Sequence, residues 1–261
     1  MRSELAIVRG GGDLATGTIY RLWRVGYKVL CLESQFPLVV RRTVSAAQAV
    51  FDGACEVDGM KSVRIDSPDE WVDDTIAVKV DPDGKCIGKM SPALLVDAIM
   101  AKRYTGTNKN MAPLVLAFGP GFSAPDQVHG VIETKRGHYL GRLITNGSAI
   151  PNTGVPGAEM GYTVERLLRA PKDGYVTPLK EIGDYAEAGE VVAAIDEMEI
   201  KAQITGILRG MIHPSVHVTA GMKIGDVDPR GVREHCFSIT DKALAIAGGV
   251  LEAVMTHADR C

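Results

Sequence analysis

Short apolar runs alternate with helical periodicity in the first part of the chain. Residues 5–8 are apolar and are followed by three glycines, a pattern that predicts a buried parallel strand ending in a tight loop. Apolar residues recur at helical spacing over residues 15–23 and predict a helix, with Asp13 placed to cap its first turn. A second apolar run over residues 28–32 predicts a strand with Glu33 at its carboxyl end.

The same alternation continues along the first half of the chain. Residues 63–65, 75–80 and 112–118 read as further strands, and the Ser-Pro pair that opens residues 91–101 predicts a helix there. Strands that alternate with helices are typical of α/β proteins. The sequence therefore predicts a Rossmann-like domain with a parallel sheet over residues 1–160.

The second half of the chain contains an internal repeat. A shift of about 32 residues places Arg169-Ala170-Pro171 over Lys201-Ala202-Gln203 and Gly174 over Gly206. Each copy is a run of short strands interrupted by glycine, so two copies can bury one face against each other.

This repeat resembles the barrel-sandwich domains that carry biotin or lipoate, and it predicts such a β-rich domain over residues 161–232. The hairpin between the copies, residues 196–199, has no lysine at its tip, and Lys201 belongs to the repeat itself. We therefore expect neither biotin nor lipoate. Residues 233–261 contain a helical pattern and predict a C-terminal helix that packs on the first domain.

The glycines after the first strand form a candidate phosphate site. Gly10-x-Gly12-x-x-Ala15 fits the dinucleotide fingerprint, and Glu33 follows near the expected distance of about 20 residues, where it would accept a hydrogen bond from a ribose hydroxyl. The residues expected to contact this ligand are Gly10, Gly11, Gly12, Asp13, Leu14, Ala15 and Gly17. The alternative is a glycine turn that only packs the helix on the strand.

Asp13 complicates a simple dinucleotide site. Its carboxylate would repel a pyrophosphate and compete for the N–H groups at the start of the helix. A divalent cation between Asp13 and the phosphates would remove this repulsion, and a plain N-cap role for Asp13 is the alternative.

Other polar and glycine-rich positions extend the candidate site. Gly119, Pro120 and Gly121 follow the strand over residues 112–118, at the end of a strand where open α/β sheets bind ligands. Arg41 could meet the charge of an anionic ligand. The remaining candidates are His129, Glu133, Asn152 and Thr153. For a single histidine such as His129, an ordinary structural role is the alternative.

Composition and charge narrow the classes of function. With 46% hydrophobic residues, 23% charged residues and a formal net charge of −3, the chain lacks the global field that attracts nucleic acid or an anionic membrane. Its five cysteines show no metal-ligand spacing. No uninterrupted apolar run reaches the roughly 18 residues of a membrane-spanning helix, and the first apolar run is too short for a signal peptide. We therefore expect a cytoplasmic protein.

Several motifs together resemble one family. They are residues 10–17, 37–45, 119–122, 131–134, 136–138, 151–157 and 165–171. The combination resembles the selenium-dependent molybdenum hydroxylase accessory proteins of the YqeB type, whose nucleotide-fold domain is similar to that of XdhC-type maturation factors.

The resemblance implies a maturation factor. Such a protein would bind the molybdenum cofactor in its dinucleotide form, or assist its selenium or sulfur modification and insertion. The implied partners are a molybdenum hydroxylase client and the small-molecule cofactor. Apart from the resemblance, the second domain could serve as a surface for a second copy of the chain. The alternative is an NAD(P)-dependent oxidoreductase in which His129 or His138 acts as the acid–base group. Molybdopterin dinucleotide and NAD(P) are thus the candidate ligands.

Overall fold

The computed structural model describes residues 4–152, 154 and 157–258. The chain divides into two compact units. Unit 1 comprises Met1–Gln35, Ser45–Thr153 and Ile239–Cys261, and unit 2 comprises Phe36–Val44 and Gly154–Ser238. Each unit is thus drawn from separate stretches of the chain, whereas the sequence predicted continuous ranges with boundaries at residues 160 and 232.

In its described residues, unit 1 contains one sheet and four α-helices. Its strands are β1 (Leu5–Arg9), β2 (Lys28–Glu33), β3 (Ala54–Val57), β4 (Met60–Arg64), β5 (Ile76–Val80), β6 (Leu94–Asp97), β7 (Leu114–Phe118), β8 (Gly130–Ile132) and β9 (Leu143–Ile144). Its helices are α1 (Asp13–Arg24), α2 (Ala49–Asp52), α3 (Ile87–Met90) and α4 (Asp241–Ala258). Short 3-10 turns occur at Ala46–Gln48, Pro68–Glu70 and Lys109–Met111.

The sheet of unit 1 is mixed, with the strand order β3-β4-β5-β2-β1-β6-β7-β8-β9. The pairs β3–β4 and β8–β9 are antiparallel, and the strands between β4 and β8 pair in parallel. The turn between β3 and β4 explains the first of these edges, because Asp58 and Gly59 both have positive φ, at 49° and 77°. Asp-Gly in this conformation forms the two-residue turn that joins antiparallel strands.

The predicted Rossmann-like parallel sheet is therefore wrong. Besides the antiparallel edges, the connections differ from those of a doubly wound fold: β4 leads to β5 through a 3-10 turn, and β5 leads to β6 through the four-residue helix α3. The helix predicted over residues 91–101 is also wrong, since β6 occupies Leu94–Asp97. This segment is buried between β1 and β7, and an apolar run buried on both faces suits a parallel strand.

Two longer helices cover one face of the sheet, and they pack closely on each other. A Cβ added at Gly17 of α1 would lie 2.8 Å from the backbone of Ala243 in α4. Ile19 and Leu22 of α1, and Ile246 and Val250 of α4, belong to the same buried core as β1 and β2. Small residues at the crossing thus let the two backbones approach. No helix in the described part of the chain has both the length and the apolarity to span a membrane.

Besides 3-10 turns at Arg42–Val44, Val164–Arg166 and Arg233–Cys236, the described residues of unit 2 form short antiparallel strands. They are β10 (Leu167–Arg169), β11 (Gly174–Tyr175), β12 (Thr177–Pro178), β13 (Tyr185–Ala186), β14 (Val191–Ile195), β15 (Met198–Lys201), β16 (Gly206–Met211), β17 (His217–Val218) and β18 (Lys223–Asp228). They form three sheets with the orders β10-β18-β16-β13, β11-β17 and β12-β14-β15.

The 32-residue repeat is visible in these strands. A shift of about 32 residues relates β10 to β15, β11 to β16, β13 to β17 and β14 to β18. The predicted barrel-sandwich domain is nevertheless wrong, because the described strands are divided among separate four-stranded, two-stranded and three-stranded sheets. The two copies of the repeat also differ in strand length: β16 and β18 extend over six residues each, whereas β11, the counterpart of β16, has only two.

Candidate functional site

The candidate site lies at the carboxyl edge of the unit 1 sheet, beside β1. From β1 the chain moves to β2 on one side, and it later returns as β6 on the other side. Ligands of open α/β sheets bind outside the carboxyl ends of the strands at such a change of direction. Arg9 is the last residue of β1 and Asp97 is the last residue of β6, so both stand at this point.

Arg9 and Asp97 form a buried ion pair. Arg9 Nη1 lies 3.5 Å from Asp97 Oδ2, and the two residues are 5% and 1% exposed. Asp97 Oδ2 accepts hydrogen bonds from the hydroxyls of Thr105 and Thr107, each at 2.6 Å. Arg9 donates through Nη1 to Thr107 Oγ1 and through Nη2 to the carbonyl of Pro82. Arg9 Nε is buried, and no described residue accepts a hydrogen bond from it.

A cavity of about 430 Å³ opens beside this ion pair. We call it the Arg9 crevice; it is lined by Arg9, Pro82, Asp83, Ile99, Ala101, Arg103, Tyr104 and Thr105. Asp83 Oδ2 lies 3.2 Å from Lys85 Nζ, so its charge is matched. Arg9 is matched by Asp97, whereas the exposed Arg103 forms no ion pair with an acidic side chain among the described residues. The crevice therefore favours an anion.

The loop that presents Arg103 is shaped by unusual backbone conformations. Met100 and Lys102 both have φ of 59°, a backbone conformation that residues other than glycine rarely adopt. Gly121, at φ of 118°, approaches the loop so closely that a Cβ would lie 2.8 Å from the Arg103 nitrogen. The ring of Tyr104 packs edge-on against Phe122 at 5.7 Å between centroids. The loop after β7 thus supports the crevice.

The predicted glycine loop is satisfied from within the protein. The Gly11 N–H donates to Glu33 Oε1 at 2.6 Å, and the Ser34 N–H donates to Glu33 Oε2 at 2.8 Å. Burial raises the pKa of the Glu33 carboxyl, and these hydrogen bonds oppose the rise. Glu33 therefore holds the loop, and its predicted contact with a ribose stays a prediction.

The glycines themselves are required by neighbouring protein atoms. A Cβ at Gly10 would lie 3.1 Å from the Ala98 carbonyl oxygen, and one at Gly11 would lie 2.8 Å from Cys31 Sγ. Gly12 is the N-cap of α1, at φ of −66°. Asp13 is the first helical residue rather than the cap, so the predicted capping role is wrong; an acidic residue in the first turn still suits the helix dipole. Leu14 and Ala15 pack against the core.

The remaining predicted residues lie in different places. Gly119, at φ of 64°, faces Thr134 Oγ1, and Pro120 is half-buried between the two loop glycines.

Glu133 connects two loops. It is 2% exposed, and its carboxylate accepts hydrogen bonds from the N–H groups of Lys135 and Ile150. Asn152 is exposed, and Thr153 lies outside the described residues. Arg41 belongs to unit 2.

His129 lies before β8, toward the amino end of the parallel strands, where its Nδ1 accepts from the Val115 N–H at 3.0 Å. Burial lowers the pKa of His129, and the nearby His257 and Lys109 lower it further. A second cavity of about 1010 Å³ includes His129 and Lys109 in its lining. Since the carboxyl ends of the strands carry the glycine loop, the structure does not bring His129 to it.

The sequence offered one signal for the Arg9 crevice. An arginine ends the apolar run of β1, and an aspartate ends the apolar run of β6. The sequence analysis assigned residues 91–101 to a helix, so it did not recognise Asp97 as the end of a strand. Among the described residues, no group of three or more His, Cys, Asp or Glu side chains could hold a metal ion.

The chain is related to a protein of uncharacterized function. It is 46% identical over 256 residues to "Uncharacterized protein YqeB" of Escherichia coli K12, a match that covers 97% of this chain and 47% of YqeB. The chain thus spans about half the length of that curated relative. No protein-family model matches the chain.

Solved structures show only remote similarity. An aspartoacylase family protein of Mesorhizobium loti is 12% identical, with a TM-score of 0.26 over 86% of this chain and 84% of its own. A succinylglutamate desuccinylase/aspartoacylase of Rhodobacter sphaeroides is 13% identical, with a TM-score of 0.27 over 86% and 85%. At these scores neither a fold nor an activity is carried over to this chain.

These comparisons correct the function that the resemblance implied. The matched proteins are described as uncharacterized, or as aspartoacylase and succinylglutamate desuccinylase proteins. None of these descriptions names the maturation of a molybdenum hydroxylase, an XdhC-like protein or an NAD(P)-dependent oxidoreductase, so the comparisons contradict these predicted functions. What stands is the relationship to YqeB.

Proposed function

We propose that this chain, which belongs to one sequence family with the matching half of YqeB, binds a small phosphate-bearing molecule in the Arg9 crevice. The observation that carries the proposal is the buried Arg9 guanidinium, which ends a central strand and borders an open cavity while its Nε has no acceptor among the described residues. Buried polar atoms in native proteins normally have a partner, so an unsatisfied donor beside a cavity favours a ligand.

The chemistry of the lining supports an anion of this kind. Arg103 adds a second guanidinium, and such groups form strong paired hydrogen bonds with phosphate oxygens. Tyr104 contributes an aromatic ring on which a base or sugar can pack. The ion pair with Asp97 keeps Arg9 in place before the ligand arrives, which reduces the cost of ordering on binding.

The size of the crevice favours a mononucleotide or a sugar phosphate. A volume of about 430 Å³ lies at the lower end of the roughly 300–1,000 Å³ of small-molecule sites. NAD(P) and molybdopterin dinucleotide, the ligands that the sequence predicts, remain to be compared with these smaller molecules. The client enzyme and the second copy of the chain also stay predictions.

Isothermal titration calorimetry tests this function. The titrants are AMP, CMP, ribose 5-phosphate, NAD, NADP and molybdopterin cytosine dinucleotide, each with and without magnesium. Arg103→Gln should weaken binding of the best ligand about tenfold, the loss of one charge-assisted hydrogen bond. Arg21→Gln, an exposed arginine of α1 outside the crevice, is the matched control and should bind as the wild type does. Equal affinity of both variants would exclude the Arg9 crevice as the site.

A further inference from the structure

The cavity beside His129 lies at the amino end of the parallel strands of unit 1. Its volume is about 1010 Å³, and we call it the His129 cavity. Ala93, Pro113 and His129 line it, and they immediately precede β6, β7 and β8. The Arg9 crevice stands at the carboxyl end of the same sheet. The two cavities are therefore separate sites.

The floor of the His129 cavity is apolar. Ile87 of α3 is 3% exposed and Met111 is half-buried, and both pack in one hydrophobic core. Ile7 of β1 belongs to this core, whereas its neighbours Ala6 and Val8 belong to the core that contains α1 and α4. Successive side chains of a strand point to opposite faces, so the floor lies on the face that α1 and α4 do not cover. Helix α3 has only four residues, which leaves part of this apolar surface accessible.

The rim of the cavity carries one positive charge. Ser91, Lys109 and Asn110 are exposed in the lining, and no described residue of the lining carries a carboxylate. Lys109 Nζ donates to the Pro125 carbonyl at 3.2 Å and forms no ion pair with an acidic side chain among the described residues. The charge of Lys109 is thus free to attract an anion into the cavity.

His129 adds a neutral hydrogen-bond donor. Its Nδ1 accepts from the Val115 N–H at 3.0 Å, so the ring is neutral and its proton is on Nε2. Burial lowers the pKa of His129, and the nearby His257 and Lys109 lower it further, which keeps the ring neutral. The Nε2–H has no acceptor among the described residues. It is therefore available to a ligand, and the electrostatic effect of Lys109 on His129 shows that the two donors are near each other.

We propose that the His129 cavity binds a monocarboxylate with an apolar body. Lys109 and the Nε2–H of His129 donate to the carboxylate, and the apolar body lies on the floor formed by Ile87 and Met111. The single charge of a carboxylate matches that of Lys109, whereas a phosphate monoester brings about 1.5 to 2 negative charges. The volume stands at the upper end of the roughly 300–1,000 Å³ of small-molecule sites, so a chain of several carbons fits.

Isothermal titration calorimetry of the full chain tests this proposal. The titrants are butanoate, hexanoate, octanoate, octylamine and octyl phosphate. Each added methylene should tighten carboxylate binding about two- to fourfold, because it buries more apolar area. Octylamine, which has the same chain and the opposite charge, should bind at least about tenfold more weakly than octanoate. Absence of saturable octanoate binding overturns the site, and tighter binding of octyl phosphate overturns its assignment to a carboxylate.

Variants of the rim locate the carboxylate. Asn110→Asp keeps the shape of an exposed side chain and adds a negative charge to the lining, so it should weaken octanoate binding about tenfold without disturbing the fold. Lys109→Gln should cause a similar loss. Asn146→Asp and Lys135→Gln, which alter exposed residues outside the lining, are the matched controls and should bind as the wild type does. Equal affinity of the rim variants and their controls overturns the proposal.

The Arg103→Gln variant separates this site from the Arg9 crevice. Octanoate binding should be unchanged in this variant, because Arg103 stands at the opposite end of the strands. A loss of octanoate binding there would place octanoate in the Arg9 crevice and overturn the proposal. Failure of phosphate binding at the Arg9 crevice would leave the octanoate titration unchanged, so the two proposals fail separately.

Discussion

The loops that follow β1 and β6 leave the same edge of the sheet, and they satisfy their polar groups in different ways. In the loop after β1, the Gly11 N–H is bound by Glu33 and the space beside the glycines is filled by protein atoms. In the loop after β6, Arg103, Tyr104 and Thr105 border an open cavity. A glycine-rich turn here allows close packing, whereas the loop with polar side chains provides the surface for a ligand.

The largest expected effect concerns the ion pair between these loops. Asp97→Ala leaves Arg9 buried without its carboxylate and should lower the free energy of unfolding by about 3–5 kcal/mol. Asp83→Ala removes an exposed carboxylate of the same crevice and should change it by no more than about 0.5 kcal/mol. Urea denaturation of both variants measures the difference. Equal losses would show that Asp97 is not the structural support of the crevice.

Removal of Glu33 separates a structural from a ligand-binding role. Glu33→Ala deprives the Gly11 and Ser34 N–H groups of their acceptor and should lower the free energy of unfolding by about 1–3 kcal/mol. Affinity for the ligand of the Arg9 crevice should stay within twofold of the wild type. Titration calorimetry measures this affinity under conditions where the Glu33→Ala variant is folded. A large loss of affinity would instead return the ligand to the glycine loop.

Two helical glycines test whether the glycines serve packing. Gly17→Ala places a Cβ 2.8 Å from the Ala243 backbone and should lower the free energy of unfolding by about 1–3 kcal/mol. Gly248 of α4 is exposed with open space around it, so Gly248→Ala should raise stability by about 0.5–1 kcal/mol. Thermal and urea denaturation compare the pair. Stabilisation by both substitutions would contradict the close contact between α1 and α4.

The smallest expected effect is a pH dependence from Glu33. Because burial raises its pKa above the ordinary value of 4.5, the folded protein holds this proton more tightly than the unfolded chain does. The contribution of Glu33 to stability is thus complete below pH 4.5 and declines as the pH rises through the raised pKa. Denaturation of wild type and Glu33→Gln across this range should show a difference that changes with pH. A constant difference would contradict the raised pKa.

Local patterns predicted many elements of unit 1 correctly. The apolar runs at residues 5–8, 28–32 and 112–118 lie in or around β1, β2 and β7, and the helical spacing after Asp13 corresponds to α1. The helix predicted over residues 91–101 was wrong, because a short apolar run fits a strand or a buried helix equally well. The Asp58-Gly59 turn was present in the sequence, and it would have indicated an antiparallel edge.

The sequence by itself determined the buried strands, the first helix and the 32-residue repeat, since these depend on the side chains of neighbouring residues. Only the tertiary structure decided which polar groups meet. Arg9 and its partner Thr107 are 98 positions apart, and the sheet brings them to 2.6 Å. Burial then makes the charge of Arg9 and its hydrogen bonds decisive, because a polar group removed from water must find its partner within the fold or in a ligand.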